Sequence, residues 1–95
     1  MRIVISMIAL MTLEQLRPGQ SARILAIDGG YGLQRRLRQM GIHPGDTVSV
    51  SSHGAFRGPL LVTVHGSRIA VGRGVARRIA VQLLPHRPLG SGGLR

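Results

Sequence analysis

The sequence predicts a small all-β domain in which five short strands curl into a barrel, with one short helix inserted between the first and second strands. Short runs rich in Val, Ile and Ala alternate with turns that contain Gly and Pro, a pattern typical of antiparallel strands. Only residues 33–42 show convincing helical spacing of apolar side chains. A flat sheet of five strands would leave its edges unpaired, whereas a barrel removes most of them.

One small domain accounts for most of the 95 residues. We expect a flexible N-terminal extension over residues 1–11, a barrel domain over 12–84, and a disordered tail rich in Gly and Pro over 85–95. The extension is apolar but too short to span a bilayer. Met1 and Met11 are both candidate natural starts, and a targeting segment is the alternative interpretation of this stretch.

The domain begins with a turn and a strand. Thr12 and Gln15 have the spacing of a capping box, which predicts one helical turn. Residues 21–27 alternate as the first strand after the Pro18-Gly19 turn. Three of its residues are expected to face the core: Ala22, Ile24 and Ala26.

The helix is predicted from apolar residues at positions i, i+4 and i+7, namely Leu33, Leu37 and Met40. Gly41 suits the left-handed residue that follows a helix, and Ile42 can fold back onto Leu37 in a Schellman motif. Pro44 prevents the helix from continuing. A helix this short needs an apolar surface to pack on, so the strands must provide it.

The remaining four strands are predicted over residues 47–51, 60–65, 68–71 and 79–83. Gly66 and Ser67 close a tight hairpin, residues 52–59 form a loop, and residues 72–78 form a short turn-like connector. The predicted core is aliphatic: Ala22, Ile24, Ala26, Leu33, Leu37, Ile42, Val48, Val50, Val62, Val64, Ile69, Val71, Ala76, Ile79 and Val81.

The composition argues against an enzyme. The chain has no cysteine and only three carboxylates, Glu14, Asp28 and Asp46, none of which is obviously paired. No serine lies in a nucleophile-elbow pattern, and the glycine pairs lack the spacing and the lysine of a phosphate-binding loop. These observations favour a binding module over a catalyst.

The charge is the strongest remaining signal. The formal net charge is +10, and between Gln20 and Leu84 nine arginines face two aspartates, which gives +7 on the barrel itself. Three interpretations stay open: a solvated basic face, a surface for an acidic partner protein or an anionic membrane, and a nucleic-acid interface. Only Tyr31 and Phe56 are aromatic, which argues against stacking of single-stranded nucleic acid.

The histidines offer a weak metal hypothesis. His53 lies in the loop and His65 at a strand end, so the two can approach one another across the sheet and hold a divalent transition metal. The alternative is a pair of exposed loop histidines. A site shared between two copies of the chain also stays open.

An ordered set of motifs resembles the FeoA family, the ferrous-iron-transport A proteins. The set runs Leu16-x-x-Gly19-x-x-Ala22-x-Ile24, Gly29-Gly30, Arg36-Leu37-x-x-Met40-Gly41-Ile42-x-Pro44-Gly45, Gly58-Pro59 and Ala76-x-x-Ile79-x-Val81. The resemblance implies an SH3-like barrel and a small cytoplasmic accessory protein of a membrane ferrous-iron transporter with a GTPase domain. The inserted Gly72-Arg73-Gly74 departs from the family pattern, so we expect a looser turn there.

The resulting hypothesis is a non-enzymatic adaptor that docks on the cytoplasmic part of that transporter and modulates it. The expected contact is the groove beside the helix together with the loop over 52–59, and five residues are expected to contribute: Arg35, Arg36, Arg38, Phe56 and Arg57. The alternative is a basic barrel that binds nucleic acid. A peripheral position at the inner membrane, a homo-oligomer, and activation or inhibition of transport all stay open.

Overall fold

The computed structural model describes residues 10–85. The elements in chain order are β1 (Leu10–Thr12), a 3₁₀ turn (Leu13–Gln15), β2 (Ser21–Ile27), α1 (Tyr31–Gln39), β3 (Thr47–His53), a second 3₁₀ turn (Ala55–Arg57), β4 (Leu60–Val64), β5 (Ser67–Val71), α2 (Arg73–Ala76) and β6 (Ile79–Leu83). No helix in this part of the chain is long and apolar enough to cross a membrane.

The strands form one antiparallel sheet in the order β1-β6-β2-β3-β4-β5. Inward-facing residues of β2 to β6 meet in a single apolar cluster, so the sheet curls around its own face as an SH3-like barrel. The predicted fold class is therefore confirmed, with a sixth strand added. Leu10 and Met11 pair with Gln82 and Val81, so the expectation of a flexible extension over residues 1–11 is wrong for its last two residues.

The predicted core is largely confirmed, with one error that has a clear cause. Leu25 is an extra residue in β2, because Ile24 pairs with Val81 while Ala26 pairs with Ala80. This bulge reverses the alternation of side chains after it. Ile27 is therefore buried and Ala26 is exposed.

The observed core differs from the predicted core in two further ways: some predicted residues are only partly buried, and some buried residues were not predicted. Leu33 and Ile69 are only partly buried against the core, and Met40 is 39% exposed. Leu13, Leu16 and Leu60 are buried but were not predicted. The first two belong to the opening turn, where no strand or helix periodicity points to the core.

The end of α1 follows the predicted Schellman geometry. Gly41 has φ = 86°, a conformation in which a Cβ atom would be strained. The N–H of Ile42 donates to the carbonyl oxygen of Leu37 at 2.9 Å, and the N–H of Gly41 donates to that of Arg38 at 3.0 Å. The helix starts at Tyr31, two residues before the first apolar residue of the predicted stripe.

The β4–β5 hairpin turns one residue earlier than predicted. Val64 pairs with Ser67, so the two turn residues are His65 and Gly66, with φ of 52° and 80°. Two positive φ values in a two-residue loop match the type I′ turn that suits the twist of a hairpin. The connector expected to be loose, residues 72–78, contains one turn of α-helix, and its Ala76 is fully buried.

Candidate functional site

A shallow groove of about 140 Å³ lies between α1 and the end of β5. Buried Leu37 fixes α1 on the barrel, and the Gln34 side-chain amide donates to the carbonyl oxygens of Ile27 (2.7 Å) and Gly29 (3.3 Å). These contacts hold the helix against the end of β2. The groove is lined by residues from α1, from the end of β5 and from the segment that begins α2: Leu33, Arg36, Leu37, Met40, Ala70, Val71, Gly72 and Val75.

The three predicted arginines of the helix, Arg35, Arg36 and Arg38, are all exposed. Arg36 follows Leu33 by three residues and precedes Met40 by four, so it flanks the apolar stripe and lines the groove. Within residues 10–85, none of the three pairs with a carboxylate. We call this set the α1 arginines.

A second basic cluster, formed by Arg73, Arg77 and Arg78 at α2, is partly neutralised. The Glu14 carboxylate lies 3.2 Å from Nε of Arg77 and 3.7 Å from a terminal guanidinium nitrogen of Arg73. Arg73 is mostly buried there, and its Nε atom has no hydrogen-bond partner within the described part of the chain. These contacts tie α2 to the opening 3₁₀ turn, so Arg73 and Arg77 are not free cations on the surface.

The β3–β4 loop, residues 54–59, carries the other two predicted contact residues. The ring of Phe56 is fully exposed (101%) and Arg57 is exposed beside it. His53, at the root of the loop, pairs with Leu60, and Leu60 pairs with Val71, which lines the groove. The root of the loop therefore lies two strand spacings, roughly 10 Å, from the groove.

The structure does not bring His53 and His65 together. They sit at opposite ends of β4, because His53 pairs with its first residue and His65 follows its last. The Nε2 atom of His53 lies 2.6 Å from the carbonyl oxygen of Leu16. Among the described residues, no three His, Cys, Asp or Glu side chains are arranged to hold a metal ion.

His65 instead contacts Asp46, a contact that the sequence did not suggest. Asp46 Oδ1 lies 3.0 Å from His65 Nε2, and Asp46 Oδ2 accepts the His43 backbone N–H at 2.8 Å with His43 Nδ1 at 3.3 Å. Partial burial alone raises the pKa of Asp46. The hydrogen bonds from the His43 N–H and the two imidazoles outweigh burial, so the pKa lies below its usual value. The cluster joins the α1–β3 connection to the β4–β5 turn.

Fold and site together define a class of protein: a small SH3-like barrel with exposed arginines beside a groove, none of them paired with a carboxylate of the described residues, suited to binding a partner. Residues 11–83 match the model of the FeoA family, described as the FeoA domain. The chain therefore belongs to the FeoA family, whose members are accessory proteins of ferrous iron transport.

Individual relatives agree with this assignment. A protein of Methanocaldococcus jannaschii named Fe(2+) transport protein A is 36% identical over 66 residues, which cover 70% of this chain and 78% of the relative. The crystal structure of an iron uptake regulatory protein, FeoA, is 33% identical with a TM-score of 0.73, and the match covers 80% of this chain and 99% of that one. Stenotrophomonas maltophilia FeoA complexed with zinc, described as a prokaryotic SH3 domain protein, is 32% identical with a TM-score of 0.64, covering 75% and 88% of the two chains.

Proposed function

We propose that this chain is a non-enzymatic adaptor, which docks on the cytoplasmic part of a membrane ferrous-iron transporter with a GTPase domain and modulates it. The family assignment supports the link to ferrous iron transport. The docking surface in this proposal is the groove with the α1 arginines. The sequence predicts Phe56 and Arg57 on the same surface, but the root of their loop lies two strand spacings, roughly 10 Å, from the groove, and they are not part of the surface proposed here. Its partner carries carboxylates opposite the arginines and an apolar side chain for the groove.

One observation carries the proposal. The fold of α1 depends on buried Leu37 and on the Schellman motif, whereas the α1 arginines are exposed and have no carboxylate partner within residues 10–85. Like charges this close on one helix repel one another slightly. Arg36 and Arg38 lie in the last turn of α1, where a cation gains about 0.3 to 1 kcal/mol from the helix dipole. The dipole accounts for only part of their placement, and three exposed cations on one short helix suit an acidic partner.

A resident metal does not fit the described residues. The Stenotrophomonas maltophilia relative was crystallised in complex with zinc. Here His53 and His65 lie at opposite ends of β4, and within residues 10–85 no three His, Cys, Asp or Glu side chains come together to hold a metal ion. The adaptor function is therefore proposed without a step that uses a bound metal.

The test is a pull-down of tagged protein from solubilised membranes of its own organism, at moderate salt and with nuclease added. We expect recovery of an iron transporter with a GTPase domain by the wild type and its loss in the double variant Arg35→Glu/Arg36→Glu. The matched control is Arg23→Glu/Arg68→Glu, which makes the same charge change on exposed arginines of β2 and β5. Thermal melts should show that both variants stay folded.

Two outcomes would overturn the proposal. Equal recovery by the helix variant and the wild type would show that α1 is not the docking surface. Recovery of nucleic acid before nuclease and of nothing after it would favour the basic barrel as a nucleic-acid binder. That binding should weaken steeply and log-linearly with salt.

A further inference from the structure

The β3–β4 loop presents one aromatic side chain entirely to solvent. The other large apolar side chains exposed among the described residues, such as Tyr31 at 73% and Met40 at 39%, keep some contact with the barrel, but Phe56 at 101% keeps none. Three of its neighbours in the loop are small, namely Gly54, Ala55 and Gly58, and the fourth, Arg57, is itself exposed. A phenyl ring held this far from its own domain contributes nothing to the core.

The backbone of the loop is closed and strained. The N–H of Gly54 donates to the carbonyl oxygen of Pro59 at 3.0 Å, and the N–H of Gly58 donates to that of Ala55 at 2.9 Å. Between these bonds, Phe56 and Arg57 have φ of 55° and 63°. Residues other than Gly rarely adopt this left-handed conformation. Such strain persists only where the surrounding structure imposes it, and it clusters at functional segments.

The two sides of the loop approach each other closely at Gly54. A Cβ atom at position 54 would lie 2.6 Å from the carbonyl oxygen of Pro59 and 2.9 Å from the carbonyl carbon of Gly58. Both atoms belong to the backbone, so neither can rotate away. Only Gly therefore fits at position 54, and the closed loop places Phe56 and Arg57 at its tip.

The charge around the tip has a single sign. Residues 47–95 contain no Asp or Glu. Of the three carboxylates earlier in the chain, Glu14 lies against Arg73 and Arg77, and Asp46 lies between His43 and His65. An anionic surface can therefore approach the tip without meeting a carboxylate of the β3, β4 or β5 segments.

We infer that Phe56 and Arg57 form a membrane-contact tip, in which the phenyl ring enters the interfacial region of an anionic bilayer and the guanidinium binds lipid phosphate. Amphipathic insertion of this kind combines buried apolar area with attraction to anionic lipid. A protein pocket fits less well, because a specific interface buries about 800 Å² on each partner and the tip has no apolar surroundings. The inference concerns lipid alone and does not depend on the proposed contact with the transporter.

The test uses the full chain and vesicles of phosphatidylcholine with and without phosphatidylglycerol. The chain has no Trp, so Phe56→Trp places a single fluorescent reporter at the tip. We expect its emission to shift to the blue, and its quenching by acrylamide to fall, with anionic vesicles but not with neutral ones. Tyr31→Trp, on the exposed first turn of α1, is the matched control and should stay quenchable.

Sedimentation with the same anionic vesicles measures the contribution of each residue. Phe56→Ser should weaken binding about fivefold, because interfacial insertion removes part of the ring area from water. Arg57→Gln should weaken it less, and added salt should weaken binding by every variant. Unchanged emission of the Phe56→Trp variant on vesicles that sediment the protein would overturn the inference, as would wild-type binding by Phe56→Ser. Protection of the same reporter only by the transporter's cytoplasmic part would assign the tip to a protein contact instead.

Discussion

The Nε2 atom of His53 lies 2.6 Å from the backbone carbonyl oxygen of Leu16, across 37 residues of the chain. A carbonyl oxygen only accepts hydrogen bonds, so Nε2 carries the proton and donates it. The contact joins the end of β3 to the segment that follows the opening 3₁₀ turn. His53 therefore has a structural role, and its Nε2 atom is occupied by that bond.

We predict that His53→Ala lowers the free energy of unfolding by about 1 to 2 kcal/mol, because the carbonyl of Leu16 loses its partner in a partly buried position. Urea titration followed by far-UV circular dichroism measures the change. His65→Ala is the control, since that side chain is 66% exposed and its loss should cost no more than about 0.5 kcal/mol. Equal losses in the two variants would show that the Leu16 contact contributes little.

A bulge in β3 explains why His53 faces inward, although the sequence predicts it in a loop. Ser51 is an extra residue in β3, because Val50 pairs with Val62 while Ser52 pairs with Leu61. The bulge reverses the alternation, so His53 shares the inward side with Leu60. The bulge at Leu25 acts in the same way on Ile27. Bulges depend on pairing between strands, and alternation within one strand does not reveal them.

Features set by nearby residues were predictable from the sequence. The end of α1 at Gly41 follows from the sequence of residues 37–42 alone. The Thr12 N–H donates a hydrogen bond to Gln15 Oε1 at 2.8 Å, which follows from a spacing of three residues. Contacts between distant segments were not predictable. Glu14 meets Arg73 and Arg77 only because the barrel closes over about sixty residues. The arginine cluster at α2 is partly neutralised for that reason.

The acid sensitivity of the fold should depend on Asp46. Its pKa in the folded state is lowered from an unfolded value of about 3.9. The ionised carboxylate therefore stabilises the fold at pH values above about 4, and this contribution is lost as the pH falls through the lower pKa of the folded state. Asp46→Asn should lower stability by about 1 kcal/mol at neutral pH, and it should differ less from the wild type in acid.

Urea titrations at a series of pH values measure this dependence. Asp28→Asn is the matched control, because Asp28 is exposed and its carboxylate makes no hydrogen bond or ion pair with other described residues. It should leave the free energy of unfolding at neutral pH nearly unchanged. A constant difference between Asp46→Asn and the wild type, from neutral pH to strong acid, would contradict the role assigned to the carboxylate.

The packing of α1 should depend on one side chain of its apolar stripe. Leu37 is 2% exposed, whereas Met40 on the same stripe is 39% exposed. Leu37→Ala should therefore lower the free energy of unfolding by about 2 to 5 kcal/mol, and Met40→Ala by less than about 1 kcal/mol. Leu37→Asp should abolish the cooperative thermal transition, because it buries a charge without a partner. Similar losses in the two alanine variants would place the buried face of α1 elsewhere.

Phe56 should be dispensable for stability, in contrast to every buried apolar residue of the chain. Its ring makes no burial contribution and its φ is 55°, where a residue with a Cβ atom costs roughly 1 to 2 kcal/mol more than Gly. Phe56→Gly should leave the free energy of unfolding unchanged or raise it by up to about 1 kcal/mol, after the larger unfolded-state entropy of Gly is allowed for. Gly41→Ala, at φ = 86°, is the reverse exchange and should lower the free energy of unfolding by about 1 kcal/mol or more.

The Phe56→Gly and Gly41→Ala variants are compared by urea titration under the same conditions. A large loss in Phe56→Gly would mean that the ring packs on the barrel, and its exposed, strained position would then be explained by the fold without a partner.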